Sequence, residues 1–222
     1  MSTALEGQVV AVIGGTGALG SGLAKRLAAA GVNVIIGSRT AEKAQETAKA
    51  LATPAGAPAA RGMTNAEAAA AATVVLMTVP FSNQAAIIAE IKPHVAGKIV
   101  IDTTVPLVPP KVARVQLPPE QSAALTAQKL LGPEVRVVSG FHNVAAHKLP
   151  HDAPIDCDVL IFGDEPKDRE VAVAIAQAAG LRGITAGPLV NSVAAEALTS
   201  ILIGINRNYK VDGAGIRITG IK

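Results

Sequence analysis

The chain has 222 residues, enough for one or two domains of roughly 100–200 residues each, and 50% of them are hydrophobic against 17% charged, which excludes intrinsic disorder. Lys+Arg 20 against Asp+Glu 17 leaves a net charge of +3, too small for a nucleic-acid stripe, and Phe 3, Tyr 1 and Trp 0 leave almost no rings to stack on bases. The single cysteine, Cys157, cannot close an internal disulfide, which fits a reducing cytosol.

Short β-branched runs alternate with alanine-rich stretches. Val9–Ile13 is a buried strand, and 17–30 a helix that Gly31 closes. A second strand spans 33–37 and a second helix 40–51, with Glu42 near its positive end. A Pro/Gly/Ala loop fills 53–60. Thr64 and Glu67 then match a capping box and start a helix that runs to Ala72. Strand 74–78 stops at Pro80, helix 82–91 follows, and strand 99–101 leads into a loop punctuated by Pro106, Pro109, Pro110, Pro118 and Pro119. Helix 121–131, strand 135–138, strand 159–162, helix 168–179, strand 183–185 and helix 192–205 complete the series. The alternation predicts a doubly wound, mainly parallel sheet with helices on both faces. The rhythm changes after Ser139, so two domains are expected, 1–139 and 140–222. The chain start, Met1 to Glu6, shows no secretory leader, and Glu196 interrupts the longest late apolar stretch. No membrane span is therefore expected.

Gly15-Thr-Gly17-Ala-Leu-Gly20 fits G-x-G-x-x-G directly after a strand and at the opening of a helix, the setting in which that pattern binds a dinucleotide. Gly15 is assigned the tight turn, Gly17 the close approach of the pyrophosphate, and Gly20 the packing of helix on strand. The helix N-terminus adds free N–H groups and a positive dipole end. After the second strand, an NAD-type site would carry Asp or Glu, but this chain has Ser38-Arg39 and no acid before Glu42. A planar guanidinium at Arg39, a hydroxyl at Ser38 and a second cation at Lys43 suit a 2′-phosphate, so NADP is expected over NAD. Val79-Pro80-Phe81 and Thr104-Val105-Pro106, after the next two strands, are expected along the nicotinamide.

The only tyrosine, Tyr209, is followed three and four residues on by Asp212 and Gly213, which excludes a Tyr-x-x-x-Lys mechanism. His142, His147 and His151 lie near Asp152, Asp156, Cys157 and Asp158, but their spacing matches no standard zinc signature, so no metal is expected. His147 and His151 read as structural. His142, directly after a predicted strand, falls at the sheet edge where the nicotinamide would lie.

Taken together, 14–20, Ser38-Arg39 with Lys43, Thr78-Val-Pro80, Ser139-Gly-Phe-His-Asn-Val-Ala-Ala146, Phe162-Gly-Asp164 and Ala186-Gly-Pro-Leu-Val-Asn-Ser192 resemble the F420-dependent NADP oxidoreductases over nearly the whole chain. The resemblance implies an oxidoreductase that moves a hydride between NADP(H) and the deazaflavin coenzyme F420. It places NADP on a Rossmann-type domain and the deazaflavin in a cleft completed by a small C-terminal α/β domain. It puts Thr16, Gly17, Ala18 and Leu19 on the pyrophosphate, and Ser38, Arg39 and Lys43 on the 2′-phosphate. Val79, Asn83, Val105 and Ala146 would lie along the nicotinamide half, and His142, Val144 and Ser192 would face the deazaflavin. The chain departs from the family pattern at Asn83, at 102–104, at Asn143 and at Ala145. No catalytic side chain is implied, since positioning two rings suffices. A cytoplasmic homodimer is expected, with small-molecule partners and neither nucleic acid nor membrane. An NADP-dependent imine or keto-acid reductase and a non-catalytic NADP-sensing protein stay open as alternatives.

Overall fold

Alternating side chains along each central strand supply two apolar faces, and the helices divide between them. In the computed structural model, which describes residues 3–221, β1 (Val9–Ile13), β2 (Asn33–Ser38), β3 (Arg61–Thr64), β4 (Val74–Met77), β5 (Ile99–Asp102) and β6 (Arg136–Ser139) pair in parallel. Then β7 (Asp158–Gly163) joins β6 antiparallel, and β8 (Arg182–Thr185) runs parallel to β7. The eight strands form one sheet in the order β3-β2-β1-β4-β5-β6-β7-β8, which confirms the doubly wound, mainly parallel architecture. Met1 and Ser2, from which the chain start was read, lie outside the described residues, as does Lys222 at the end of the second expected domain.

Val10, Val12, Val34, Ile36, Leu76 and Ile101 point to one face, where they meet Leu23 and Leu27 of α1 (Ala18–Ala29), Ala44 and Ala48 of α2 (Ala41–Lys49), and Ile175 of α6 (Pro166–Ala178). Ala11, Ile13, Ile35, Val75, Met77 and Val100 point to the other, against α3 (Asn65–Ala71), α4 (Phe81–Ile91) and α5 (Ala123–Leu131). Complete burial of a leucine such as Leu23 or Leu27 contributes about 1.5–3 kcal/mol. The capping box forms as expected: Thr64 N donates to Glu67 Oε2 at 3.0 Å, and Glu67 N to Thr64 Oγ1 at 3.4 Å.

Among the boundaries that differ from the sequence reading, three have a clear physical reason. Arg61–Thr64 pairs with β2 as an edge strand, where no strand was expected between the loop 53–60 and the helix starting at Thr64. Its RGMT has no β-branched run, and tertiary contact makes the strand: a side chain at Gly62 would overlap the α2 backbone at Ala44 and Gln45. Helix α5 begins at Ala123, because Gln121 is left-handed (φ +72) and Ser122 caps the helix by accepting from Leu125 N. The last helix, α7 (Ser192–Tyr209), runs to a left-handed Lys210 rather than ending at Ile205.

The expected domain boundary falls at the end of β6, and the sheet continues past it through two residue pairs, Val138↔Gly163 and Ser139↔Phe162. A second link is Arg26 of α1, which donates to the carbonyls of Leu149 (2.9 Å), Ala179 (3.0 Å), His151 (2.6 Å) and Ala153 (3.0 Å). Residues Leu189–Tyr209 are long and apolar enough to cross a membrane by length and composition, with mean hydropathy 1.4. The helix nevertheless buries Ser192, Glu196 and Ser200 on one side, at the i, i+4, i+8 spacing of a single face packed on protein.

Candidate functional site

Register brings the predicted site together. Gly37, Ile13, Met77, Asp102 and Ser139 are consecutive Cα partners across β2, β1, β4, β5 and β6. The residues that follow each of them therefore emerge along one edge of the sheet. They are Ser38 and Arg39, the 14–19 loop, Thr78 and Val79, Thr103 to Val105, and Gly140 to His142. Strand order reverses between β1 and β4, the switch point at which such sheets bind ligands.

Gly14 makes the left-handed turn (φ +73), a correction to the assignment of that task to Gly15. A Cβ on Gly14 would also stand 2.8 Å from Val79 Cγ1. Gly15 is needed for a different reason, since its Cβ would stand 2.7 Å from Val12 O, while Gly15 N donates to Gly37 O at 3.0 Å. Gly17 is the N-cap of α1 and is exposed. A Cβ there would meet Gly14 O alone, at 3.3 Å, so protein does not fill the space above the helix end. Gly20 packs between the loop and Thr78, as expected: its Cβ would fall 2.8 Å from Gly14 O. Thr16 and Leu19 are half-buried and Ala18 exposed, with the first N–H groups of α1 directed at the open side.

At the end of β2, Ser38 is buried while Arg39 and Lys43, the latter in the first turn of α2, are exposed. Neither cation pairs with a carboxylate among the described residues. A concentration of free positive charge beside a buried hydroxyl, with no acid on the strand end, fits a 2′-phosphate. Farther along the edge, Val79 is buried against Gly14, Asn83 is exposed on the first turn of α4, and Val105 is half-buried.

Phe141 adopts the left-handed region (φ +67) although it is a buried aromatic, a conformation costing of order 1–3 kcal/mol. It turns the chain back after β6, and the His142 imidazole Nε2 then lies 2.8 Å from Ser139 Oγ. Burial pushes the His142 pKa down to about 3, so the ring is neutral at pH 7. His142 and Val144 line a cavity of about 200 Å³ closed by Thr199, Leu202 and Ile203 of α7. Ala146 is half-buried at the start of a short 3-10 turn. Ser192 differs from the other predicted residues: it is fully buried, and its hydroxyl donates to Ser122 Oγ at 3.0 Å rather than opening on the edge.

Two buried carboxylates at this edge were not among the predicted site residues. Asp102 ends β5 and accepts from Gln84 Nε2 (2.7 Å) and Thr104 N (2.9 Å); burial raises its pKa to about 6. Glu196 of α7 accepts from Ala123 N (2.6 Å) and Ala124 N (3.1 Å) at the start of α5. Burial raises the Glu196 pKa to about 8 against the opposing effect of those N–H bonds, and the Asp102 carboxylate pushes it the same way as burial. The signal for Glu196 was the polar spacing Ser192, Glu196, Ser200 in an otherwise apolar helix. A cavity of about 470 Å³ lies elsewhere, between the end of α5 and the start of α6, and touches none of the predicted site residues. Among the described residues no three His, Cys, Asp or Glu side chains converge as metal ligands. Instead His147 pairs with Asp212 at 2.9 Å, and His151 is exposed.

Residues 9–106 match the family described as NADP oxidoreductase coenzyme F420-dependent. The chain is 41% identical over 220 residues to the F420-dependent NADP reductase of Methanothermobacter thermautotrophicus, covering 96% of this chain and 95% of that one. It is 40% identical over 222 residues to the protein of the same name from Methanocaldococcus jannaschii, covering 96% and 99%. A solved structure from Arthrobacter sp. FB24, named provisionally as an F420-dependent NADP reductase, superposes with TM-score 0.76 at 24% identity over 96% of this chain and all of that one. An imine reductase of Myxococcus stipitatus shares the fold at TM-score 0.60 and 18% identity, but the match spans 62% of that longer chain.

Proposed function

Because the chain belongs to the F420-dependent NADP reductases, we propose that its sheet edge holds the two cofactors in the order the sequence suggests. The protein is an NADP-dependent oxidoreductase that transfers a hydride between NADP(H) and coenzyme F420. The observation that carries the site assignment is the register row, which delivers Gly17, Arg39, Val79, Val105 and His142 to one edge. When bound, the cofactors supply the donor and acceptor carbons, C4 of nicotinamide and C5 of the deazaflavin.

The side chains bind and align. Thr16, Gly17, Ala18 and Leu19 hold the pyrophosphate with backbone N–H groups at the α1 N-terminus. Arg39 grips the 2′-phosphate with its planar fork, and Ser38 and Lys43 complete the grip. Val79, Asn83, Val105 and Ala146 flank the nicotinamide. His142 and Val144 face the deazaflavin, and Ser192 backs that wall through Ser122. His142 is neutral and bonded to Ser139, so its part is orientation by hydrogen bonding rather than proton transfer. The barrier is lowered by holding the reacting carbons about 3–3.5 Å apart, which needs no nucleophile or base.

In this reading residues 1–139 bind NADP and 140–222 complete the coenzyme cleft. The exposed apolar face of α7, with Ile201 half-exposed and an apolar groove of about 420 Å³ beside β7, supports a homodimer. A free, buried Cys157 is compatible with the cytoplasm. The test mixes the protein with NADPH and oxidised coenzyme F420. Loss of the deazaflavin visible absorbance in step with NADPH consumption is expected. Consumption without that loss would point to another acceptor, and no consumption to an NADP-binding protein without turnover.

A further inference from the structure

The two buried carboxylates are joined by an unbroken run of hydrogen bonds that crosses four elements. Glu196 on α7 accepts from Ala123 N and Ala124 N, at 2.6 and 3.1 Å. The carbonyl of Ala123 accepts from Gln84 Nε2 of α4 at 3.0 Å, and the same nitrogen donates to Asp102 Oδ2 of β5 at 2.7 Å. Asp102 Oδ1 in turn accepts from Thr104 N at 2.9 Å. Each link lies next to a residue assigned above to a cofactor: Gln84 follows Asn83, Thr104 precedes Val105, and Glu196 stands one turn beyond Ser192 on α7.

Glu196 pairs two of the N–H groups that the start of α5 leaves without an intrahelical partner. Ser122, the local N-cap, accepts from Leu125 N at 3.0 Å and leaves those two to a side chain from another helix. Stability is part of the gain, since an apolar side chain at 196 would leave two buried N–H groups unpaired, at the full desolvation cost of each. What a fully satisfied buried polar run adds is a fixed mutual position of the elements it joins.

We infer that Glu196 is a positioning residue for hydride transfer, holding the N-terminus of α5 so that the α4, β5 and α7 segments beside the two cofactors keep one spacing. This rests on the reading of Asn83, Val105 and Ser192 as lining or backing the site. The spacing matters because transfer depends steeply on distance: a misplacement near 1 Å can cost about 100-fold in rate.

The experiment measures the single-turnover rate of hydride transfer from NADPH to oxidised coenzyme F420, together with the NADP Kd and the melting temperature. It compares wild type, Glu196→Gln and Gln84→Met. Gln84→Met cuts the same run from α4 and leaves Glu196 intact, so it reports even where the Glu196 variant does not fold. Positioning predicts a transfer rate lowered about tenfold in each folded variant, with NADP Kd within about twofold of wild type. A lowered melting temperature with the wild-type transfer rate would overturn the inference and leave a structural network only. Wild type that passes no hydride to coenzyme F420 would overturn the underlying reading, and this inference with it.

Discussion

Around the 14–20 loop the proposed site is made mainly of backbone, four glycines and the open N-terminus of α1, with two exposed cations beside it that pair with no carboxylate among the described residues. Around His142 and α7 it is made of buried side chains bonded to one another, with Ser139 on His142, Ser122 on Ser192 and the α5 N-terminus on Glu196. The first region draws on β1 and α1 for the loop, on β2 and α2 for the cations, and on the residues after β4 that pack against Gly14. The second exists only when β5, β6, α5 and α7 have all docked. Specific nucleotide binding can thus be removed at one end without unfolding the protein, whereas changes at the other end register in stability as well as rate.

The largest effect is expected from Gly17→Val. A Cβ at this exposed position meets only Gly14 O, so the fold should survive with an unchanged circular dichroism spectrum. NADP binding should weaken more than about 100-fold, because the valine fills the space the pyrophosphate needs. Undiminished NADP affinity would show that this turn is not the ligand loop. Arg39→Ala comes next. Hydrogen bonds to charged groups contribute about 1.5–3 kcal/mol, so NADP should bind roughly 10- to 100-fold more weakly while NAD hardly changes. Equal losses for both nucleotides in a titration would remove the 2′-phosphate from Arg39.

The other region should answer through stability. Gly22 of α1 lies so close to the C-terminal half that a Cβ there would stand 2.5 Å from Leu149 Cβ. Gly22→Ala should cost about 1–3 kcal/mol by overpacking, read as a lower melting temperature. An unchanged melting temperature would mean that the 146–153 segment is free to move away from α1.

The smallest effect is in pH. Glu196 goes from its ordinary 4.5 to about 8 on folding and Asp102 from 3.8 to about 6, so each binds its proton more tightly in the folded chain, and stability falls as pH rises through those windows. His142 goes the other way, from 6.5 to about 3, so stability rises with pH through that window. Above pH 6.5 the titrations of Asp102 and of the unfolded-state His142 run out within about one pH unit, and Glu196 dominates. Unfolding free energy should therefore decline between pH 6.5 and 8 by at most about 1.4 kcal/mol per pH unit, and the decline should flatten in Glu196→Gln. Denaturant melts at pH 6.5, 7.25 and 8 decide this, and parallel slopes in both proteins would assign the decline to another group.

Legibility in the sequence follows the same division. The phosphate loop, Ser38-Arg39 and the strand alternation were readable because each signal lies within a few residues and rests on backbone geometry or charge. Even there, adjacent glycines hid which one turns: Gly14 has the positive φ, and Gly15 is held by contact with Val12. Edge strand β3 was invisible because pairing with β2 and the close approach of α2 create it, not the residues of RGMT. The link from Glu196 to Ala123 spans 73 residues of sequence, so spacing along α7 could mark Glu196 as inward-facing but could not say what it would meet. Likewise Ser192 was placed by motif, and only the docked α5 shows its hydroxyl turned to Ser122.

The central claim is that the edge formed by β1, β4, β5 and β6 stacks two rings for direct transfer. It is tested most directly with NADPH deuterated at C4, reacted with oxidised coenzyme F420 in ordinary water. The account predicts that deuterium from one face of the nicotinamide appears at C5 of the deazaflavin without dilution by solvent hydrogen. Solvent hydrogen at C5 would contradict it, because the hydride would then have passed through an exchangeable group on the protein.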